Sequence, residues 1–270
     1  MNPCAATRRA FTLVELLVVI AVIGLLLGLL LPAMASARKS GQLVVSLTNV
    51  RQITAGATQY TYDHKDEWPV SPAGVNGSTV FWCSWNWGGK TASDYWKQAA
   101  GGAYHLPSSG RVVNSYVHPD ADYGVDEETE NDRVELPAFR APRDTESYQR
   151  QYWASEPTPV DMSSYDDVGT SYHLNMRWWF DDKVAPTDNS VDKWKRLRRI
   201  FQRGASDVPS NFVWLHDQVM DVVAVRAFDI EGLYGGLNKS VAAYMDGHCR
   251  YVRVNPGERV SPEYQLVIDP

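Results

Sequence analysis

One long apolar run near the N-terminus constrains this chain more than any other feature. Residues 11–35 read FTLVELLVVIAVIGLLLGLLLPAMA and contain a single ionisable side chain, Glu15. At 1.5 Å per residue, a helix over residues 11–31 is about 31 Å long, which matches the hydrocarbon thickness of a bilayer. Core helices of soluble proteins rarely extend so far without a polar face. The run therefore predicts a transmembrane helix over residues 11–35, with a buried core helix as the less favoured alternative.

The ten residues before this run are short and basic, as in the first part of a secretory signal. However, the apolar run is longer than the hydrophobic region of such signals, and no A-x-A cleavage site leads into a polar segment. Arg38 and Lys39 follow the run instead and continue a helical pattern. These features favour a retained membrane anchor over a cleaved secretory signal.

Glu15 stands out because a carboxylate inside the hydrocarbon region is costly unless it is paired or neutralised. It is either an interfacial residue at the membrane edge or a group that pairs with a cation. The next Lys or Arg along the sequence is Arg38. A new α-amino group would serve as the cation if the chain were cut just before Phe11, in the same chain or in a neighbouring subunit.

The stretch RRAFTLVE at residues 8–15 resembles the processing site of type IV prepilins and type II secretion pseudopilins. The resemblance implies that a prepilin peptidase/N-methyltransferase cuts between Ala10 and Phe11 and methylates Phe11. It also implies that Glu15 pairs with the N-terminal amine of an adjacent subunit during assembly, and that Pro32 breaks the first helix. One residue departs from the family pattern, since Ala10 stands where these proteins usually have Gly, although its side chain is also small.

The function that this resemblance implies is that of a structural subunit, not an enzyme, of a type II secretion pseudopilus or type IV pilus-like filament. The chain would be a single-pass inner-membrane protein with a cytoplasmic N-terminus and a periplasmic head. Its partners would be the peptidase, other pilin-like subunits and the inner membrane, and no cofactor is expected. Two functions from other classes remain as alternatives: a membrane-anchored extracytoplasmic glycan-binding protein and a tethered enzyme.

The apolar positions thin to a single stripe after Pro32, with steps of three and four residues that are typical of an amphipathic helix. The stripe comprises Leu43, Leu47, Val50, Ile53, Ala57 and Tyr60. This helix is predicted to end near Tyr62 and Asp63, before Pro69. The predicted organisation is therefore a leader at residues 1–10, a transmembrane helix at 11–35, its amphipathic continuation at 36–63 and a β-rich globular head at 64–270.

Aromatic side chains alternate over residues 81–87, which read FWCSWNW. The alternation predicts a strand, and its Trp residues form either a packed β layer or a platform on which a sugar stacks. A short helix is predicted at residues 91–100. The packed layer is favoured over the sugar platform, and a glycan array on the isolated fragment 36–270 would distinguish the glycan-binding interpretation.

Seven acidic residues lie close together in the sequence: Asp120, Asp122, Asp126, Glu127, Glu128, Glu130 and Asp132. Such carboxylates could hold Ca²⁺, which takes six to eight oxygen ligands. Their spacing is not that of an EF-hand loop, so a solvated acidic loop is favoured over a calcium site with Asp120, Asp122 and Asp126 as ligands.

The pattern of residues 190–203 predicts a basic amphipathic surface helix.

The C-terminal third predicts strands at residues 212–216, 222–228, 240–245 and 248–254. Asp246-Gly247 between the last two favours a two-residue type I′ hairpin. The fold class that these elements predict is α+β, in which the long N-terminal helix packs on an antiparallel β-sheet head.

Composition excludes several other classes of protein. The net charge of −6 argues against nucleic acid as a partner, and three cysteines are too few for a disulfide scaffold. Cys83 and Cys249 would face an oxidising compartment, so a disulfide between them is open. The six histidines are dispersed without metal-ligand spacing, and no nucleophile or phosphate-binding motif is present.

Overall fold

The structure, a computed structural model, describes residues 13–65, 67–70, 74–76, 79–81, 83–123, 134–151, 155, 158–177 and 207–267. The basic helix predicted over residues 190–203 lies outside these ranges. The chain divides into two compact units, Met1–Gly41 and Gln42–Pro270.

Helix α1 spans Leu13–Asp63 and thus contributes to both units. The helix ends at Asp63, which confirms the end predicted near Tyr62 and Asp63. Val50, Ile53, Ala57 and Tyr60 are buried in the larger unit, and Leu43 and Leu47 pack against its core, which confirms the predicted stripe. The burial pattern follows from the 3.6-residue period, because positions three and four apart share one face of a helix.

A four-stranded antiparallel sheet forms the centre of the larger unit, in the order β3-β4-β5-β6. Its strands are β3 (Tyr172–Leu174), β4 (Val213–Asp217), β5 (Lys239–Tyr244) and β6 (Cys249–Arg253). The last three confirm the strands predicted at 212–216, 240–245 and 248–254, each shifted by no more than one residue at either end. With α1, this sheet confirms the predicted α+β class.

Both faces of the sheet are covered, and alternate residues of β5 point to opposite sides. Val241 and Ala243 join the core that includes Val50 and Ile53 of α1. Ala242 and Tyr244 join a second core with the helix that follows β4. The alternation is the two-residue period of a strand, here with two buried faces, which explains why β4 is buried along its whole length.

The strand predicted over residues 222–228 is wrong, because the chain there forms helix α5 (Gln218–Arg226). Three valines favoured a strand in the sequence. The helix starts because the Asp217 side chain accepts a hydrogen bond from Val219 N, and it ends at Ala227, whose backbone is left-handed. Packing against the sheet on one side then outweighs the strand propensity of these valines.

The remaining described elements are short. A two-stranded sheet pairs β1 (Gly74–Asn76) with β2 (Thr79–Phe81). The helix predicted at 91–100 is shorter, with α2 at Tyr95–Gln98 followed by a 3₁₀ turn at Ala99–Gly102. Helices α3 (Asn114–Val117) and α4 (Ser164–Val168) lie in the connections.

The hairpin between β5 and β6 differs from the predicted type I′ turn. Tyr244 pairs with His248, so the loop has the three residues 245–247, and Gly247 N donates to Tyr244 O at 2.9 Å. Gly247 has φ of 87°, whereas Asp246 is not among the described non-glycine residues with positive φ. This is a type I turn followed by a left-handed glycine, so glycine is required at one position of the loop and not at two.

Candidate functional site

The N-terminal segment of α1 carries the residues that the sequence singled out. Ala10 and Phe11 lie outside the described residues, so the predicted cleavage position stays a prediction. Glu15 lies in the first turn of α1 and is exposed.

The apolar side chains that follow Glu15 are exposed along the whole segment. Leu13, Leu25 and Leu29 each expose more than two thirds of their surface. By length and composition, α1 is the one helix among the described residues that is able to cross a membrane, and its most apolar window is not buried within the protein. Such a surface requires a lipid or protein environment to cover it.

Pro32 lies inside α1, and the helix continues on both sides of it. The helix break predicted at Pro32 is therefore not present in this structure. Proline removes a single backbone hydrogen bond from the helical ladder, and the strong helix formers around Pro32 keep the helical backbone.

The predicted calcium ligands are only partly described. Asp120 and Asp122 follow α3, and both side chains lie in described parts of the chain, whereas Asp126 does not. Within the described residues, no group of three or more His, Cys, Asp or Glu side chains is arranged to hold a metal ion. A calcium site at Asp120, Asp122 and Asp126 therefore stays a prediction.

The aromatic segment forms turns from Ser84 to Trp87, and not the predicted strand. Trp87 is fully buried against Phe139, and Trp85 is buried against Trp96. These two rings are packed in the interior, so they do not form the sugar-stacking platform that was one interpretation of the pattern. Trp82 lies outside the described residues.

The turns after Phe81 depend on a distant side chain. The Arg111 guanidinium is buried and donates to the backbone carbonyls of Trp85, Gly88 and Val168 at 2.7 to 2.8 Å. These carbonyls would otherwise be buried without partners, which is costly. A local sequence pattern carries no sign of this contact, and this explains why the alternation of aromatic residues was misleading.

Two histidines that are dispersed in the sequence come together in the structure. The rings of His173 in β3 and His216 in β4 stack with their centroids 6.5 Å apart, and both residues are fully buried. They occupy paired positions in the register of the two strands. The sequence analysis missed this pair because antiparallel register is not visible in residue spacing.

His173 is held in one neutral form by two serines. Ser164 Oγ donates to Thr170 O at 3.0 Å and thus accepts from His173 Nε2 at 3.1 Å. His173 Nδ1 then accepts from Ser84 Oγ at 2.8 Å. Burial lowers the pKa of His173 to about 3. Since both serines are buried with it, this contact stabilises the interior and presents no nucleophile to a substrate in solvent.

Buried carboxylates complete the polar interior of the head. Asp144 accepts hydrogen bonds from Ser164 N, Tyr165 N and Ser171 Oγ, at distances of 2.6 to 2.9 Å. Asp217 accepts from Val219 N, Ser240 Oγ and Val241 N, at 2.7 to 3.0 Å. Burial raises the pKa of Asp144 to about 6 and that of Asp217 to about 7. Each of these two side chains joins segments that are distant in sequence.

Cys83 and Cys249 are free thiols. Cys83 is buried in the small cluster around Trp96, whereas Cys249 packs at the edge of the core beneath α1. The disulfide that the sequence left open is therefore not formed in this structure. Burial raises the pKa of the Cys83 thiol to about 12, which leaves it unreactive.

Comparison with known proteins yields one finding. Residues 6–31 match the family described as the prokaryotic N-terminal methylation motif. The match spans Ala10, Phe11 and Glu15 and most of the apolar run at residues 11–35. No curated protein and no solved structure matches the chain.

Proposed function

Because the chain carries the prokaryotic N-terminal methylation motif, as type IV pilin-like proteins and pseudopilins do, we propose that it is a structural subunit of a pilus-like filament. The filament is a type II secretion pseudopilus or a type IV pilus-like assembly. The observation that supports this most is that the motif leads into a long apolar helix whose apolar surface is exposed.

In this proposal the apolar segment has two successive environments. Before processing, it holds the precursor in the inner membrane, with residues 1–10 in the cytoplasm and the head in the periplasm. A prepilin peptidase then cuts between Ala10 and Phe11 and methylates Phe11. In the filament, neighbouring helices replace lipid as the cover for this surface, which is an exchange between two apolar environments.

Glu15 sets the position of each subunit in this mechanism. An exposed carboxylate in the first turn of α1 lies close to the new N-terminus in sequence. Away from water, its charge requires a partner of opposite sign, and the N-terminal amine of an adjacent subunit supplies one. Since only one axial position of the two helices satisfies both charges, the pair selects a single register.

The proposal assigns no chemical reaction to the chain, which is the substrate of the peptidase. The packing of Trp85 and Trp87 removes these two rings from the argument for glycan binding, and the buried serines around His173 give no support to a tethered enzyme. No second function is therefore put forward.

Mass spectrometry of the N-terminus from native membranes tests the processing step. The expected N-terminal residue is N-methylated Phe11, with residues 1–10 absent. An intact Met1 in cells that contain an active prepilin peptidase would contradict the proposal.

The assembly step is tested separately with Glu15→Leu and the charge-conserving Glu15→Asp. Glu15→Leu is expected to be cleaved and to remain in the membrane but not to enter filaments, whereas Glu15→Asp is expected to retain part of the assembly. Filaments that incorporate Glu15→Leu as well as the unaltered protein would contradict the role of the carboxylate.

A further inference from the structure

Four ionisable side chains that the proposed function does not use meet between β3, β4 and α5. They are His173, Arg177, His216 and Asp221, and all four are buried. A buried charge is costly unless it is paired, so the protonation state of each group affects the stability of this region.

His216 has one satisfied and one unsatisfied ring nitrogen. Its Nδ1 lies 2.9 Å from the carbonyl oxygen of Asp217, which only accepts, so Nδ1 carries the proton and donates it. Its Nε2 is buried and has no hydrogen-bond partner among the described residues. This atom lies 3.7 Å from Asp221 Oδ1. In neutral His216, a lone pair thus faces a carboxylate oxygen.

Asp221 Oδ1 already has another partner. Arg177 Nε donates to the same oxygen at 3.0 Å. Arg177 follows the edge strand β3 and Asp221 belongs to α5, so this ion pair ties the edge of the sheet to the helix that covers its face. One carboxylate oxygen therefore lies between a permanent cation and a group that becomes a cation only when it is protonated.

Two neighbouring groups bear on the protonation of His216: His173, and Asp217, whose pKa burial raises to about 7 and which takes up a proton of its own on acidification. His173, stacked on His216, already has both ring nitrogens satisfied by serine hydroxyls. The carboxylate of Asp217 is occupied by three donors. Burial lowers the pKa of His216, and although burial opposes the ionisation of Asp221, Arg177 and the two histidines hold the pKa of that carboxyl below its usual range.

We propose that His216, Asp221 and Arg177 form an acid-sensitive lock between β3 and α5. On acidification, His216 Nε2 takes up a proton from solvent and keeps it, and the resulting imidazolium competes with Arg177 for Asp221 Oδ1, which weakens the hold of that oxygen on Arg177. The lock is closed at neutral pH and loosens in acid.

The loosening reaches the contact between the sheet and α1. Tyr172 belongs to β3, and its hydroxyl lies 2.7 Å from Ser46 Oγ of α1. A strand that is less firmly tied to α5 positions this hydroxyl less well. The packing of the Gln42–Asp63 part of α1 on the head thereby depends on the protonation of His216.

The test uses the full chain in detergent micelles with ¹⁵N-labelled histidine. NMR at pH 7.5 is expected to show His216 as the neutral form with its proton on Nδ1, and acidification of the folded protein is expected to convert it to the imidazolium. A His216 imidazolium at pH 7.5, or a neutral His216 throughout the titration of the folded protein, would overturn the proposal. This measurement needs no variant.

Denaturant unfolding of the unaltered protein, His216→Asn and the matched control His248→Asn measures the effect on stability. His248 lies on the exposed end of the β5–β6 hairpin, away from the lock. Below pH 6.5 the unfolded chain binds a proton that folded His216 resists, so the unfolding constant of the unaltered protein is expected to rise by up to about tenfold per pH unit relative to His216→Asn. His248→Asn is expected to follow the unaltered protein. Parallel pH profiles for the unaltered protein and His216→Asn would overturn the proposal, and if His216→Asn does not fold, the NMR titration decides alone.

Discussion

Ser46 Oγ of α1 lies 2.7 Å from the hydroxyl of Tyr172 in β3, and both side chains are fully buried. This hydrogen bond joins the N-terminal helix to the edge strand of the sheet. Two buried hydroxyls satisfy each other there, so the bond fixes the position of the helix along the sheet more closely than apolar packing does.

The Ser46–Tyr172 pair predicts a measurable coupling. Ser46→Ala leaves the buried Tyr172 hydroxyl with poorer partners and is expected to lower the free energy of unfolding by about 1–2 kcal/mol. Tyr172→Phe in the same background is expected to cost less than it does alone, because the orphaned hydroxyl is then gone. Denaturant unfolding of the two single variants and the double variant gives the coupling energy. Thr48→Ala is the matched control, since Thr48 is an exposed hydroxyl on the same helix, and additive effects at Ser46 and Tyr172 would contradict the prediction.

Helices α1 and α3 pack closely at Gly56. A Cβ atom at residue 56 would lie 2.8 Å from Val117 Cγ2, so Gly56→Ala forces the two helices apart. We expect a loss of about 1–3 kcal/mol in the free energy of unfolding. Gly41→Ala in the same helix is the control, because no atom lies within 4 Å of its added Cβ. Alanine favours helix over glycine, so Gly41→Ala is expected to be neutral or stabilising. If Gly56→Ala and Gly41→Ala changed the free energy of unfolding equally, close packing at Gly56 would be contradicted.

We expect the carboxyl of Asp217 to contribute one component of the pH dependence of the free energy of unfolding. Burial raises its pKa from 3.8 in the unfolded chain to about 7 in the folded protein. The folded state thus binds the proton more tightly, and this contribution is complete below about pH 4 and is lost as the pH rises through about 7.

Asp217→Asn is expected to remove this component, which amounts to at most about 1.4 kcal/mol per pH unit between these limits. Denaturant unfolding between pH 4 and pH 8 measures it as the difference between the variant and the unaltered protein. Asp94→Asn, at an exposed carboxylate distant from the sheet, is expected to retain the original profile. An Asp217→Asn profile that parallels the original would show that the buried carboxyl does not titrate in this range.

Replacement of Gly247 is expected to lower the free energy of unfolding through backbone conformation only. Its φ of 87° is left-handed, but nothing lies within 4 Å of an added Cβ. Gly247→Ala is therefore expected to lower the free energy of unfolding by about 1 kcal/mol through backbone strain alone. Gly247→Asn is expected to cost less, because asparagine tolerates this conformation better. Thermal or denaturant unfolding distinguishes the two, and an alanine variant as stable as the unaltered protein would contradict the turn geometry.

The sequence predicted those elements whose cause is local. The α1 stripe from Leu43 to Tyr60 was visible because a helix repeats every 3.6 residues, and β5 and β6 were visible because a turn signal separates two apolar segments. The type of the turn was missed, since Asp246-Gly247 is compatible with more than one loop length. The prediction at Pro32 failed because a single missing hydrogen bond does not end a helix of strong helix formers.

The errors elsewhere have long-range causes. Residues 222–226 belong to a helix because Asp217 caps its start and the sheet packs against it, and no window of seven residues contains these contacts. Residues 84–87 turn because Arg111 binds the carbonyls of Trp85 and Gly88. The pairing of His173 with His216 follows from strand register.

By itself, the sequence determined the apolar N-terminal helix, its amphipathic continuation and the methylation motif, because each of the three depends only on residues that are close together in the sequence. Only the tertiary structure decided which polar groups are buried together, namely Ser46 with Tyr172 and His216 with Asp221. The physical reason is that a buried polar group must find a partner in space, and the partner that the fold supplies lies far away along the chain or across a strand or helix boundary.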